Sequence, residues 1–358
     1  MSARGVIGWD IGGVNTKVAR AADGRLVAAF GQPYEVQRAP DALVALLGEL
    51  AARARIHADD RHAVTMTAEL SQMFRTKREG VAFVLDAVEA AFPDADVRVF
   101  TVHGTFVTLS AARATPLDAA AANWAATARM VADTHPDAIL IDVGTTSTDI
   151  IPIVGGRVVA KGTTDPARLA SGELVYTGAL RTPVEAIASH VPFAGGVATV
   201  SAESFCLVGD VHLWRGDLAP DDYSVATPDG RAASREFSGE RIARVVCADR
   251  ELLDDAGIGA IAHTVADAQR QRIVQGIRRV LDRHPALRTA VVTGLGAFIA
   301  RAAATAAGLE VVALADTFAA LGPSTSAHAD DVSSGSAAAR AAPAAAVALL
   351  LDRETPRP

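Results

Sequence analysis

The chain has 358 residues, which at roughly 150 residues per domain gives a prior of about two domains. Half of it is hydrophobic, with a mean hydropathy of +0.23, and this composition excludes a disordered tail protein. The 34 Lys and Arg against 41 Asp and Glu, a net charge of −7, argue against a nucleic-acid surface, because phosphate backbones are bound by an excess of basic side chains.

In chain order, the pattern predicts a strand over 5–11, a polar turn, a second strand and a Gly-Arg turn at Gly24 and Arg25. A helix over 41–54, a strand over 63–67, a helix over 78–91, a strand over 97–102 and a helix over 118–133 follow. A strand over 138–143 then opens a second hairpin. The segment 163–238, rich in Gly, Pro, Ser and Asp, reads as a loop-rich insertion with a short strand at 204–208. Beyond it, helices are expected at 239–249, 261–282, 297–307 and 337–352, and strands at 289–293 and 310–314. This is α/β alternation after an antiparallel meander, twice over, with domains expected at 1–134 and 135–358. Aromatics are 5 % of the chain and alanine is abundant, so the cores are expected to be aliphatic, with helices lying close on sheets.

An acidic residue is reached at Asp10, before the apolar core of a signal peptide has room to form. The longest apolar run, 341–351, is too short to span a bilayer and contains Pro343. A soluble cytoplasmic protein without a membrane partner is expected. Cys206 and Cys247 form no CxxC, so neither a zinc site nor a disulfide framework is expected, and both read as buried thiols.

The chain repeats itself. Residues 10–28 align on 142–160 without a gap at a constant offset of 132, and seven of the 19 positions are identical, among them Asp10/Asp142, Gly12/Gly144 and Thr16/Thr148. Each copy is an apolar strand ending in Asp, a turn of Gly, Thr, Ser or Asn, and a second strand. In such a turn backbone N–H groups converge on an anion, and glycine removes the obstructing Cβ. An Asp beside the turn would repel bare phosphate, but it fits a divalent cation such as Mg²⁺, which bridges carboxylates to phosphate oxygens. Two such hairpins facing across a cleft would hold a diphosphate or triphosphate. For either loop alone, an Asp that caps a tight hairpin is the competing reading.

A third element, 291–298, is an apolar strand, the turn Gly294-Leu295-Gly296 and a helix start. Together the three resemble the phosphate 1, phosphate 2 and adenosine motifs of the acetate and sugar kinase, Hsp70 and actin superfamily. The resemblance implies an α/β fold of two ribonuclease-H-like (actin-like) lobes with a central ligand cleft. Within that superfamily the chain resembles the hydantoinase and oxoprolinase family, and more closely the group linked to tetrahydromethanopterin-dependent one-carbon transfer. The residues that carry this are Gly8 to Lys17, Met66-Thr67-Ala68-Glu69-Leu70, Thr76-Lys77-Arg78-Glu79-Gly80, Asp142 to Pro152, Tyr176 to Pro183 and Gly209 to Trp214. Val14, Asn15 and Lys17 depart from the hydantoinase loop pattern, which argues against ring-opening chemistry.

The resemblance implies a transferase of methylofuran biosynthesis. Its substrates would be a furan-methyl diphosphate, 5-(aminomethyl)furan-3-ylmethyl diphosphate, and the phenol of γ-glutamyltyramine, joined as an aryl ether with release of diphosphate. On that reading Asp10 and Asp142 hold Mg²⁺, directly or through water. Gly12, Gly13, Asn15, Thr16, Gly144, Thr145 and Thr146 contact phosphate oxygens, with Lys17 as an added positive charge and Asp149 as a supporting or base residue. Glu69 is the first candidate base for the phenol, whose ordinary pKa is near 10, with Arg75, Lys77 or Arg78 of the following basic run as its candidate partners. Asp210 and His212 alternate along an expected strand and share a face, so they are candidates to line the substrate site, as is His103 at a strand end. Arg181 and Arg168 are candidates for the glutamyl carboxylates. Each of these has a structural alternative: a helix-start carboxylate with a solvated basic turn for Glu69, a hydrogen-bonded His-Asp pair for His212, surface salt bridges for the arginines. ATP binding and oligomeric state, a homo-oligomer included, are left open. Two other functions compete: an ATP-dependent kinase or amidohydrolase of the same fold, favoured by Gly294 and Gly296, and a nucleotide switch working through partners.

Overall fold

The computed structural model describes residues 5–321 and 335–354. Contacts divide the chain into two compact units, one of Met1–Leu140, Ile151–Ala167 and Val312–Pro358, the other of Ile141–Ile150 and Arg168–Val311. One boundary at 134/135 is what the sequence leads one to expect, and the contact-defined units interleave along the chain.

The first unit is built on a meander of β1 (Val6–Ile11), β2 (Asn15–Ala22) and β3 (Arg25–Pro33), followed by β4 (Arg61–Met66), β5 (Val97–Phe100) and β6 (Phe106–Thr108). The strand order is β3-β2-β1-β4-β5-β6, with β4 parallel to β1 and β5 parallel to β4. Side chains alternate along β1. Ile7, Trp9 and Ile11 enter a core with Leu43, Leu46, Leu47 and Leu50, the apolar stripe of the helix Leu43–Arg53. Gly8 points the other way, against the alanine-rich helix Ala342–Glu354, where a Cβ on residue 8 would come within 2.1 Å of the Ala344 carbonyl. The abundance of alanine thus has a use: small residues let this helix lie on the strand at backbone distance. Asp352 pins its far end by accepting the Gly24 N–H at 2.6 Å.

The second sheet contains β7 (Ala138–Val143), β8 (Thr148–Val154), β9 (Arg157–Val158), β10 (Leu174–Val175), β13 (Thr289–Thr293) and β14 (Glu310–Ala313). Its order is β10-β8-β7-β13-β14, with β9 also on β8. The sequence repeat is reproduced in the backbone, since the bounds of β1 shifted by 132 are those of β7. Between β10 and β13 lies a separate hairpin of β11 (His190–Phe193) and β12 (Gly196–Thr199).

The loop-rich segment differs from expectation in two places. Leu174 and Val175 join the second sheet by pairing with Asp149 and Thr148. The expected strand at 204–208 is not formed, since 204–206 is irregular and Leu207 makes an isolated bridge to Pro183, and Asp210 and His212 lie instead on a helix, Val208–Arg215. Asp210 caps it by accepting the Leu207 N–H at 3.1 Å, and Gly216 ends it at φ +79°. Every residue from Val208 to Trp214 is buried, so no polar face marks a 3.6-residue period in the sequence. Two later helices start earlier than the apolar pattern, at Arg235 and Asp255, because Ser234 and Asp254 cap them. Cys206 is buried as expected, whereas Cys247 is exposed. Among the described residues no helix is long and apolar enough to cross a membrane.

Candidate active site

In the first unit the candidate residues gather at the carboxyl ends of β1 and β4. Asp10 pairs across the ladder with Lys17 on β2 and with Thr65 on β4, so these three side chains share one face. The turn closes with the Gly12 N–H donating to the Asn15 carbonyl at 3.0 Å. A Cβ on Gly12 would stand 2.7 Å from that oxygen, so only glycine fits. Gly13 has open space around its Cα. Thr16 is fully buried and lies on the opposite face from Asp10 and Lys17.

Asp10 is 3 % exposed. Its Oδ2 accepts from Lys17 Nζ at 3.2 Å, while Oδ1 is buried without a hydrogen-bond partner, as is the Thr65 hydroxyl. A buried carboxylate oxygen left over in this way fits a hard cation or its water shell. No group of three or more His, Cys, Asp or Glu is arranged for a metal among the described residues. A cation here would therefore take most of its oxygens from water and phosphate, which suits Mg²⁺.

Glu69 stands at the same end of the sheet. The Thr67 N–H donates to the Ile11 carbonyl at 2.9 Å, and the single turn Ala68–Leu70 then folds Glu69 inward, leaving it 2 % exposed. The helix Lys77–Ala91 holds it there: a Cβ on Gly80 would come within 2.5 Å of the Glu69 Cα. That helix is capped by Thr76, which accepts the Glu79 N–H, while the Glu79 carboxylate accepts the Arg75 N–H. Neither Glu69 oxygen has a hydrogen bond of full geometry, the backbone N–H groups of Glu69 itself and Ala121 acting on the carboxyl only weakly, and Lys77 Nζ is 3.8 Å from Oε1. Burial, only partly offset by the Lys77 charge, pushes the Glu69 carboxyl up from 4.5 to about 7. A carboxyl poised near neutrality is suited to proton transfer. Arg78 is exposed on the same helix, and His103 is exposed in the turn between β5 and β6, 3.4 Å from Asp118.

In the second unit the repeated turn has the same closure, with the Gly144 N–H donating to the Ser147 carbonyl at 2.9 Å. The segment 177–181 seats it. Ala179 N–H donates to the Gly144 carbonyl at 2.8 Å and Leu180 N–H to that of Thr145 at 3.1 Å. Gly178 lies so close that a Cβ would stand 2.6 Å from Thr146 N. Gly178→Ala is expected to lower stability by about 2 kcal/mol, checked by thermal unfolding. The Gly294–Gly296 turn abuts the same strand end. Gly294 has φ +91°, its Cβ would meet Asp142 Oδ1 at 2.3 Å, and Gly296 N–H donates to the Val143 carbonyl at 2.8 Å.

Several expected site residues have structural occupations instead. Asp149 is bound to Arg168, which is itself 2 % exposed, so neither is presented as a free base or a carboxylate receptor. Arg181 is exposed. Asp210 is buried against Arg241, which donates from Nε at 2.8 Å, and Ser238. His212 is buried with Nε2 2.8 Å from Gln269 Oε1 and Nδ1 3.4 Å from Asp217. Gln269 Nε2 donates to the Gly178 carbonyl at 2.7 Å and to Thr177 Oγ1 at 2.9 Å. That carbonyl only accepts, so the amide orientation is fixed and His212 Nε2 carries the proton facing Oε1. His212 thus supports the 144–147 turn through Gln269. The sequence reading missed Gln269, although a signal exists: it is a glutamine among Val265, Ile273 and Ile277 on the buried face of the helix Asp255–Leu281.

The family model for hydantoinase/oxoprolinase matches residues 60–331. The (4-{4-[2-(gamma-L-glutamylamino)ethyl]phenoxymethyl}furan-2-yl)methanamine synthase of Methanocaldococcus jannaschii is 37 % identical over 294 residues, 81 % of this chain and 86 % of that protein. The enzyme of the same name from Methanococcus vannielii is 38 % identical over 159 residues, 44 % of this chain and 70 % of that sequence. Among solved structures, a nucleotide-free acetone carboxylase matches with a TM-score of 0.53 at 13 % identity, covering 86 % of this chain and 68 % of that one. This last likeness concerns the fold alone.

Proposed function

The chain belongs to the hydantoinase/oxoprolinase family, and from that premise we propose that it is the ether-forming enzyme of methylofuran biosynthesis. It joins a furan-methyl diphosphate to the phenol oxygen of γ-glutamyltyramine. The phenol oxygen–carbon bond forms, the bond from the furan methylene to diphosphate breaks, the phenol proton passes to a base and diphosphate leaves. The observation that carries this reading is the setting of Glu69, a buried carboxyl without a hydrogen bond of full geometry at the sheet end that also bears the Asp10 turn.

The furan ring oxygen stabilises positive charge on the methylene carbon, so the enzyme's main task is to accept negative charge on the departing diphosphate. In the first turn the backbone N–H groups of Gly13 and Asn15 and the Lys17 ammonium serve that purpose, and Asp10 would hold Mg²⁺. Gly144, Thr145 and Thr146 form the second such turn, beside Asp142. When bound, Mg²⁺ neutralises charge on the phosphate oxygens. Glu69 takes the phenol proton, and the exposed apolar side chains of Leu70 and Met73 that follow it suit an aromatic ring. The test is incubation of the purified protein and Mg²⁺ with both compounds. A product with the mass of the ether, accompanied by diphosphate, is expected, and recovery of both compounds unchanged would reject the reading.

A second reading, ATP-dependent chemistry on the same fold, is favoured by the glycine turn at 294–296 seated against Asp142. Activity assays with and without ATP and Mg²⁺ separate the two, since turnover that requires ATP would favour this alternative.

A further inference from the structure

Lys77 lies between two carboxylates. Its Nζ is 2.6 Å from Asp165 Oδ2 but 3.8 Å from Glu69 Oε1. The side chains of Lys77 and Asp165 are mostly buried, at 26 % and 17 % exposure, so the pair is only partly screened by solvent. Asp165 lies in the segment that packs with the first unit and begins the helix Asp165–Ser171. The charged groups that face Glu69 are Lys77 from the helix packed on it and Asp165 beyond.

We propose that Asp165 is a positioning residue of the active site: by engaging the Lys77 ammonium directly, it keeps that ammonium from closing into a direct ion pair with Glu69. The inference rests on the reading of Glu69 as the base. Its physical content is a competition for one ammonium. Were Lys77 released, its side chain has the length to form a direct ion pair with Glu69, and a carboxylate in contact with a cation titrates one or more pH units lower. The negative charge of Asp165 acts in the same direction, since it disfavours a second anion close by. Sequence reasoning had no access to this residue, because its partner is 88 positions away.

The experiment uses the full chain with ¹³C-labelled Glu carboxyls. The Glu69 resonance is assigned by its loss in Glu69→Gln and titrated by NMR, alongside the pH profile of kcat. In Asp165→Asn the Glu69 titration and the acidic limb of kcat both move down by about one pH unit, while Asp165→Glu restores both. In Lys77→Met the Glu69 titration moves up. Unchanged Glu69 titration in folded Asp165→Asn, or in Lys77→Met should the first variant not fold, overturns the proposal. A Glu69 titration that shifts as stated while the acidic limb of kcat stays in place upholds the coupling and instead rejects Glu69 as the base.

Discussion

Glu69→Gln is expected to lower turnover at pH 8 by roughly 10²-fold or more and, at the same pH, to make the protein more stable. Both effects follow from one buried carboxyl. In the folded protein burial pushes it up to about 7, against 4.5 for an ordinary glutamate. The folded state therefore keeps a proton that the unfolded chain gives up. The associated stability is fully present below pH 4.5 and is lost as pH rises through about 7, a difference of about 3 kcal/mol. Glutamine has no charge to bury, so the variant should match the wild type near pH 4.5 and exceed it by about 1–3 kcal/mol at pH 8. Thermal unfolding at the two pH values checks this, and equal melting temperatures at pH 8 would show that Glu69 is not held in a desolvated site. Wild-type turnover should rise with pH through about 7, because the base acts in its ionised form. Such an exchange of stability for activity is common where catalysis needs a strained or desolvated group.

The second large effect is expected at the two aspartates. Asp142→Asn should reduce turnover by roughly 10³-fold, about 4 kcal/mol of transition-state stabilisation, with the circular dichroism spectrum and melting temperature little changed. Asn preserves the shape and removes the charge. Asp10→Asn should behave similarly in turnover, and it also removes the negative charge 3.2 Å from Lys17 Nζ. If these carboxylates serve Mg²⁺, the concentration of Mg²⁺ giving half-maximal activity should rise in both variants. Near-normal turnover in Asp142→Asn would remove that residue from the mechanism and leave the second turn as a structural copy of the first.

The two turns were legible before the structure because their chemistry is local. An Asp at a strand end, glycine two residues later and a closing residue three further on appear as a short pattern, and Gly12 to Asn15 and Gly144 to Ser147 close alike. Glu69 was legible as a candidate because it follows a strand. Its burial was not, since that depends on Gly80, on a neighbouring helix, coming against its backbone. Asp165 and Gln269 act over 88 and 91 positions, and no periodicity links such pairs. The helix Val208–Arg215 escaped for a different reason: it is buried all round, and amphipathic reading needs a wet face. The interleaving of the units was equally hidden, because the helix Ala342–Glu354 shows only that it is apolar, not that it lies on Gly8.

Ether formation is expected to be driven by the diphosphate already present in one substrate. The direct measurement is the ratio of ether formed to diphosphate released by purified protein with Mg²⁺ and both substrates, with and without ATP. One diphosphate per ether, at a rate unaffected by ATP, is the result expected. Ether formation that occurs only with ATP, accompanied by an equivalent amount of ADP or AMP, would contradict it.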